Sequence, residues 1–293
     1  MTTISELHIY PIKSLRGISV AEAVVEAKGL QYDRRFMLVS PNGQFITQRA
    51  NPQMALIDVA IDKDQLRIWH VNRPDDVLVL PLVVPEQTST SQETMSVTIW
   101  DSHDVPAMTV SAEADQWFSE MLGQPCRLVF MPETTHRAVD PEYARQDDAV
   151  SFADGYPYLL IGQASLDDLN RRLPADEPAK PLDMLRFRPS IVVTESAPYE
   201  EDTWAHFRIS DIDFYGVKPC ARCVLTTIDP ATGQKGKEPL RTLATYRQWK
   251  NKILFGQNVL AGSSEDLPLG VLRVGQVVEV VSHQEPRLQP PIE

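Results

Sequence analysis

Short runs of alternating or β-branched residues, each closed by a turn former, fill residues 1–100 and restrict this chain to a sheet-based fold. Residues 5–10, 20–26, 35–39, 44–47, 55–61, 65–70, 77–84 and 95–100 carry the signature. Pro41-Asn42-Gly43 separates two of these runs and signals a tight turn, because glycine accepts positive φ and asparagine tolerates left-handed geometry. The period then changes. From Ser111 to Leu122 the sequence is helical, with Ser111 as cap, Ala114, Trp117, Phe118 and Met121 as the apolar stripe, and Gly123 as the stop.

Residues 131–149 are polar and aperiodic, and are read as a linker whose Glu133, Asp140, Glu142, Asp147 and Asp148 form a solvated face. Beyond them the pattern predicts a strand at 156–161, a helix at 165–173 capped by Ser165, a turn or short helix at 182–186 and a buried strand at 191–193. A strand at 224–228, helical spacing over 239–250 through Leu240, Leu243, Tyr246 and Trp249, and strand character at 271–281 follow. Prolines make residues 285–293 an unpacked tail. The expected fold class is mixed α/β, rich in β.

At 293 residues the chain is long enough for two hydrophobic cores. Its 40 acidic against 28 basic side chains give a net charge of -12, which argues against a stable nucleic-acid partner or an anionic membrane while leaving room for a local basic pocket. Residues 1–14 contain no apolar signal-peptide core, and no apolar run reaches the roughly 18 residues of a membrane span. Three cysteines fit a reducing compartment, so a cytoplasmic protein is expected. Neither a Walker A loop nor a complete Gly-X-Gly-X-X-Gly fingerprint occurs, and Gly233 and Gly236 are assigned to a turn.

Chemistry concentrates in Val217-Lys218-Pro219-Cys220-Ala221-Arg222-Cys223-Val224-Leu225-Thr226-Thr227-Ile228-Asp229-Pro230. Nearby Lys218 and Arg222 favour thiolates at Cys220 and Cys223. Nucleophile, redox pair, metal ligand and inert packing all remain open from spacing alone. Zinc needs about four ligands, and Cys126 has no partner pair. A thioredoxin-like dithiol wants its pair opening a helix, whereas residues 224–228 read as strand and then turn. His103, His136, His206 and His283 show no metal spacing, and Tyr32, Phe36, Trp204 and Trp249 are assigned to packing ahead of a substrate pocket. Thr227 and Asp229 are candidates for supporting hydrogen bonds or a turn cap.

Several of these segments together resemble the MOSC-domain molybdenum enzymes, notably the mitochondrial amidoxime-reducing components and the bacterial hydroxylaminopurine-resistance group. The resemblance rests on Tyr10-Pro11-Ile12-Lys13-Ser14-Leu15-Arg16-Gly17, Gly29-Leu30-Gln31-Tyr32-Asp33-Arg34-Arg35-Phe36-Met37 and Gly43-Gln44-Phe45-Ile46-Thr47-Gln48-Arg49. Phe187-Arg188-Pro189-Ser190-Ile191-Val192-Val193, the cysteine segment and Lys237-Glu238-Pro239-Leu240-Arg241-Thr242-Leu243 extend it over nearly the whole chain. It implies a MOSC-associated β-barrel-like domain at 1–125, a catalytic MOSC β-barrel at 126–284 with a boundary open to interdigitation, and a flexible tail at 285–293.

The resemblance further implies a pterin-based molybdenum cofactor, a mononucleotide-free molybdopterin, with Cys223 as the protein's metal ligand and catalytic residue and Cys220 beside it. Lys13, Ser14 and Arg34 match positions that hold the cofactor phosphate, Arg188 is a further cofactor contact, and Arg186 and Arg49 orient loops or meet solvent. The implied activity is reduction of N-hydroxylated small molecules such as amidoximes, hydroxylamines or N-hydroxylated nucleobases, in a detoxifying role. Cofactor binding and storage, or sulfur transfer in cofactor maturation, are the alternatives. No internal iron–sulfur cluster is expected, so an external electron-transfer protein and an NAD(P)H-dependent reductase are expected partners.

Overall fold

A computed structural model describes residues 1–84, 93–175, 181–262 and 268–288, and among them strands dominate. The largest sheet runs Val278–His283, Trp204–Ile209, Ile212–Arg222, Lys252–Ala261, Tyr158–Gly162, Ile191–Thr194, Thr3–Ile9 and Ile18–Val20, with Gln248–Trp249 hydrogen-bonded to Lys252–Ala261. Only Tyr158–Gly162 and Ile191–Thr194 pair in parallel within it, and the helix Gln163–Arg172 begins the long connection that a parallel pair requires. The first strand of the chain is thus an inner strand beside Ile191–Thr194, with Leu7 opposite Ile191.

The sheet that follows is local to the first half of the chain. Phe36–Val39 pairs with Arg127–Phe130, which continues through Ser102–Thr109 to Thr94–Ile99. Ile57–Asp62, Gln65–His70 and Arg73–Pro81 form a meander, whose alternation buries Leu66 and Ile68 and exposes Gln65 and Arg67. Its inner face packs with Phe36, Trp117, Phe118 and Phe130 into one core, while Leu7, Tyr158, Trp204, Phe207 and Phe214 build a second within the large sheet. The helix Ala112–Leu122 closes the first core, with Ser111 Oγ accepting the Ala114 N–H at 3.1 Å and Gly123 left-handed at φ 66°. Among the described residues no helix is long and apolar enough to cross a membrane.

Several local expectations change. Residues 44–47 form isolated bridges from Phe45 to Val39 and from Gln44 to Thr98 in place of a strand, and the Gly43 turn before them (φ 81°) packs so closely on Ser96 that a Cβ would lie 2.5 Å from its carbonyl oxygen. The strands Ser102–Thr109, Arg127–Phe130, Trp204–Ile209 and Lys252–Ala261 were not expected. Residues 224–228 hold a 3-10 turn, Val224–Thr227, and the helix expected over 239–250 stops at Ala244. Arg247 explains that stop: its guanidinium is drawn inward to Asp202 at 2.5 Å, and the chain turns to pair Gln248–Trp249 as a strand.

Ser165 is not the cap of its helix. Gly162 takes that place, and Ser165 Oγ instead donates to Glu201 at 2.8 Å and accepts from the Tyr199 N–H at 2.6 Å. Residues 131–149, expected to be a solvated linker, bury Met131, Thr135, Arg137 and Val139 and pair Asp140 with Lys218 at 3.7 Å and Glu133 with Arg35. Of the expected tail, residues 289–293 lie outside the described residues, whereas Arg287 touches the Tyr143 hydroxyl at 3.3 Å.

Candidate functional site

The strand order brings distant parts of the chain to one cleft. Lys13, Ser14, Arg34, Arg188 and Cys223 all line it, with Asp154, Tyr156, Cys220, Arg222 and Asn258. Lys13 follows the first strand and is tied by its N–H to the Phe36 carbonyl at 2.8 Å. Arg34 is tied to the Tyr10 carbonyl at 2.8 Å, and Arg188 ends the 3-10 turn Met184–Phe187. Cys223 follows the long strand Ile212–Arg222.

Ser14 (φ 69°), Arg34 (φ 50°) and Arg188 (φ 58°) each adopt left-handed backbone conformations. For a residue other than glycine this costs on the order of 1 kcal/mol, and such strain concentrates at functional sites. Here it turns cationic and hydroxyl side chains toward a common space. The Tyr10 ring lies between the demands of two guanidiniums, 4.3 Å from Arg34 and 4.2 Å from Arg188 by ring centroid. Arg34 donates to Asp33 at 2.5 Å, and Asp33 also accepts the Tyr10 N–H at 2.7 Å, so that carboxylate is fully committed inside the protein.

Arg188 is not. One of its nitrogens donates to the Leu15 carbonyl at 2.6 Å, but Nη2 is buried with no hydrogen-bond partner among the described residues. Burial, reinforced by Arg34, pulls its pKa down to about 10. Burial likewise lowers Lys13 to about 8, although Asp154 at 2.5 Å opposes the shift. A cleft that concentrates Lys13, Arg34, Arg188 and Arg222 in a chain of net charge -12 favours an anionic ligand. It continues past Arg188 and Leu225 into a second chamber of about 310 Å³, walled by Tyr10, Leu15, Gly17, Asp58, Asp183 and Ile228 among others.

The cysteines separate by environment. Arg222 Nη1 lies 3.0 Å from Cys220 Sγ, whereas Lys218, expected to support the thiolates, is paired with Asp140 and rests 4.0 Å from the Tyr143 ring. Both cysteines are free, and the backbone from Cys220 to Cys223 is strand-like, with Cys223 at φ -122° and ψ 177°. Extended chain separates their Cα atoms by roughly 10 Å, beyond the reach of a disulfide. A dithiol exchange site is therefore geometrically disfavoured. Among the described residues no three His, Cys, Asp or Glu side chains gather as a metal site.

Other candidates take structural places. Asp229 Oδ1 accepts the N–H groups of Ala231 and Thr232 at 2.9 and 3.0 Å and its other oxygen pairs with Arg186 at 3.1 Å, which makes it a turn cap. Thr227 donates to the Val224 carbonyl at 2.8 Å, and Arg186 holds the Thr226 carbonyl at 3.2 Å. Arg49 stacks 3.8 Å from the Trp100 ring. Phe36 and Trp204 are core residues, and neither they nor Tyr32 and Trp249 line the cleft. His136 pairs with Asp147 at 3.4 Å, His206 with Asp213 at 2.7 Å, and His283 meets Thr203 at 3.0 Å, away from the cleft.

Sequence reasoning missed Asp154 and Arg137. Arg137 is buried in the supposed linker and donates to the carbonyls of Ser151, Ala153 and Asp154 at 2.9, 2.6 and 2.8 Å, which fixes the cleft loop. The Asp154-Gly155 dipeptide was the available turn signal; nothing local marked Arg137.

Comparison with known proteins agrees with this architecture. The chain matches the MOSC N-terminal beta barrel domain over residues 1–125 and the MOSC domain over residues 147–279. It is 35% identical to mitochondrial amidoxime-reducing component 1 of Mus musculus, over 94% of this chain and 81% of that protein. The corresponding protein of Homo sapiens is 33% identical, over 94% of this chain and 82% of its own length. A molybdenum cofactor sulfurase of Oryza sativa subsp. japonica is 32% identical over 94% of this chain, which spans only 36% of that relative. With both regions matched and four-fifths of a relative covered at this identity, the chain belongs to the MOSC-domain family, as a relative of the mitochondrial amidoxime-reducing components.

Proposed function

We propose that the cleft holds a pterin-based molybdenum cofactor, a mononucleotide-free molybdopterin, and that the protein reduces N-hydroxylated compounds such as amidoximes, hydroxylamines or N-hydroxylated nucleobases. The observation that carries this reading is the convergence of Lys13, Ser14, Arg34 and Arg188 with Cys223 in one cation-rich cleft, where the buried Nη2 of Arg188 still has a proton to donate. That orphaned donor, with the strained backbone beneath it, fits an anionic ligand bearing many acceptors.

Residues from both matched regions take part: Lys13, Ser14 and Arg34 lie in 1–125, the proposed associated domain, while Arg188 and Cys223 lie in 126–284, the proposed catalytic domain. Lys13 would neutralise the phosphate, Ser14 would donate its hydroxyl and Arg34 would offer a planar fork. Arg188 would donate toward the pterin, whose amino and ring N–H groups suit carboxylates such as Asp183 in the adjoining chamber. Cys223 would bind molybdenum as a soft thiolate, and Cys220, engaged by Arg222, would stay beside it as a packed neighbour. The chemistry supplied by the bound cofactor is two-electron removal of the N-bound oxygen, which leaves as water after two protons are taken up.

Electrons would come from an external electron-transfer protein served by an NAD(P)H-dependent reductase. Three free cysteines support a reducing, cytoplasmic setting. The named sulfurase relatives favour a second reading, sulfur transfer in cofactor maturation. Cofactor-loaded protein given an artificial reductant should convert a small amidoxime to its amidine. Absence of turnover under competent loading, together with transfer of persulfide sulfur, would instead select the maturation role.

A further inference from the structure

One contact in the cleft occupies the place that an incoming phosphate would want. The Lys13 side chain is only 5% exposed, yet its carboxylate partner Asp154 stands on the rim with its side chain 64% exposed and Oδ1 at 2.5 Å from Nζ. The same Oδ1 accepts the Trp100 indole N–H at 3.2 Å. Trp100, itself 40% exposed, has Arg49 at 3.8 Å and Phe45 at 4.9 Å from its ring. Arg137 clamps the backbone of residues 151–154, so rotation of the Asp154 side chain is the motion left to this contact.

The groups facing Lys13 make the pairing consequential. Arg34 and Arg137 repel its charge, the Phe45 ring lies 5.9 Å away, and Asp154 is the carboxylate that supports it. A phosphate set against Ser14 and Arg34 would bring a second anion to the same ammonium. The two anions repel one another, and their positions differ in what each can recover: Asp154 can return to water, whereas buried Lys13 cannot.

We propose that Asp154 is a resident counter-ion, which keeps Lys13 charged and in place while the cleft lacks its anion and yields Lys13 to a phosphate monoester on binding. This rests on the proposed reading of Lys13, Ser14 and Arg34 as phosphate ligands. Asp154 is thereby a positioning residue that tunes cofactor loading, and its release removes the hydrogen-bond acceptor of Trp100. Phosphate binding is coupled to an optical reporter built into the cleft rim.

Inorganic phosphate is the probe, titrated into the full chain and its Asp154→Asn, Trp100→Phe and Lys13→Ala variants at constant ionic strength. Titrations are run at pH about 6.5 and again at about 5.5: both keep Lys13, with its pKa of about 8, protonated in the parent chain, and the lower one offsets the support that Lys13 loses in Asp154→Asn. Calorimetry measures binding and tryptophan emission measures release of Asp154. The parent chain should bind with a saturable emission change, Trp100→Phe should bind without that change, and Lys13→Ala should lose binding. Asp154→Asn should bind about tenfold more tightly, the scale of one modest charge repulsion removed. Equal or weaker binding by Asp154→Asn at both pH values would show that Asp154 only braces Lys13, and binding to the parent chain without an emission change would show that the carboxylate stays in place; either overturns the counter-ion role alone. The emission test stands even if Asp154→Asn fails to fold. No phosphate binding to a folded parent chain or to Asp154→Asn overturns the counter-ion role together with the phosphate-site reading.

Discussion

Two regions of the protein treat their arginines oppositely. Around the helix Gln163–Arg172, buried Arg247 meets Asp202 at 2.5 Å and, on the helix itself, Arg172 meets Asp168 at 2.7 Å, while Glu201 accepts the Gly162 N–H at 3.1 Å and the Ser165 hydroxyl at 2.8 Å. Each of these arginines has a carboxylate of its own, although Arg247 Nη1, like Arg188 Nη2, is a buried donor without a partner among the described residues. In the cleft, Lys13, Arg34, Arg188 and Arg222 outnumber Asp33 and Asp154, and among the described residues neither Arg188 nor Arg222 has a carboxylate in ion-pair reach. Paired charge holds a fold together; surplus charge in a strained cleft waits for a ligand.

The contrast can be broken most severely at the proposed metal ligand. Cys223→Ser should lower N-reduction by at least about a hundredfold and reduce retained molybdenum, because a hydroxyl does not replace a soft thiolate, while Cys220→Ser should be milder. Activity and metal content per folded molecule check this. Retained metal and turnover in Cys223→Ser would remove the cleft's central residue from the chemistry.

Next in size is a pair of charge deletions with opposite consequences. Asp202→Ala leaves Arg247 buried and uncompensated, and should cost roughly 3–5 kcal/mol of stability by denaturant melting. Arg188→Ala should lower cofactor retention about tenfold while costing the cofactor-free protein only about 1–2 kcal/mol for the lost bond to the Leu15 carbonyl, since Nη2 serves no protein group among the described residues. If Arg188→Ala unfolds the protein as Asp202→Ala does, the division between paired and surplus charge fails.

A smaller effect separates the regions by pH. Burial, with Asp202 nearby, raises Glu201 from 4.5 to about 7. The folded state therefore holds the Glu201 proton more tightly than the unfolded state, so stability from this group is full below about pH 4.5 and is lost as pH rises toward 7. Glu201→Gln should match the parent chain near pH 4.5 and exceed its stability near pH 8 by on the order of 2 kcal/mol. A constant difference across that range would remove Glu201 as the titrating group.

Much of this was legible in the sequence, and the failures have physical causes. The capped helix Ala112–Leu122, the Gly43 turn and most early strands follow from local chemistry, and the five named site residues do share a cleft. Residues 131–149 were opaque because a buried arginine that binds carbonyls and a serine hydroxyl, with no carboxylate, looks like a surface charge until the fold supplies Ser102, Ser151, Ala153 and Asp154. The place of Thr3–Ile9 beside Ile191–Thr194 was equally hidden, since strand pairing across that separation leaves no local period. Residues 239–250 had helical spacing, but the Arg247–Asp202 pair overrode it.

The central claim is that the cation-rich cleft presents Cys223 to molybdenum. X-ray absorption at the molybdenum edge of the loaded parent chain and of Cys223→Ser tests it at the atom concerned. The prediction is one fewer sulfur neighbour in the variant, with the remaining sulfurs supplied by the pterin dithiolene. An unchanged molybdenum–sulfur shell, accompanied by retained reductase activity, would contradict the account.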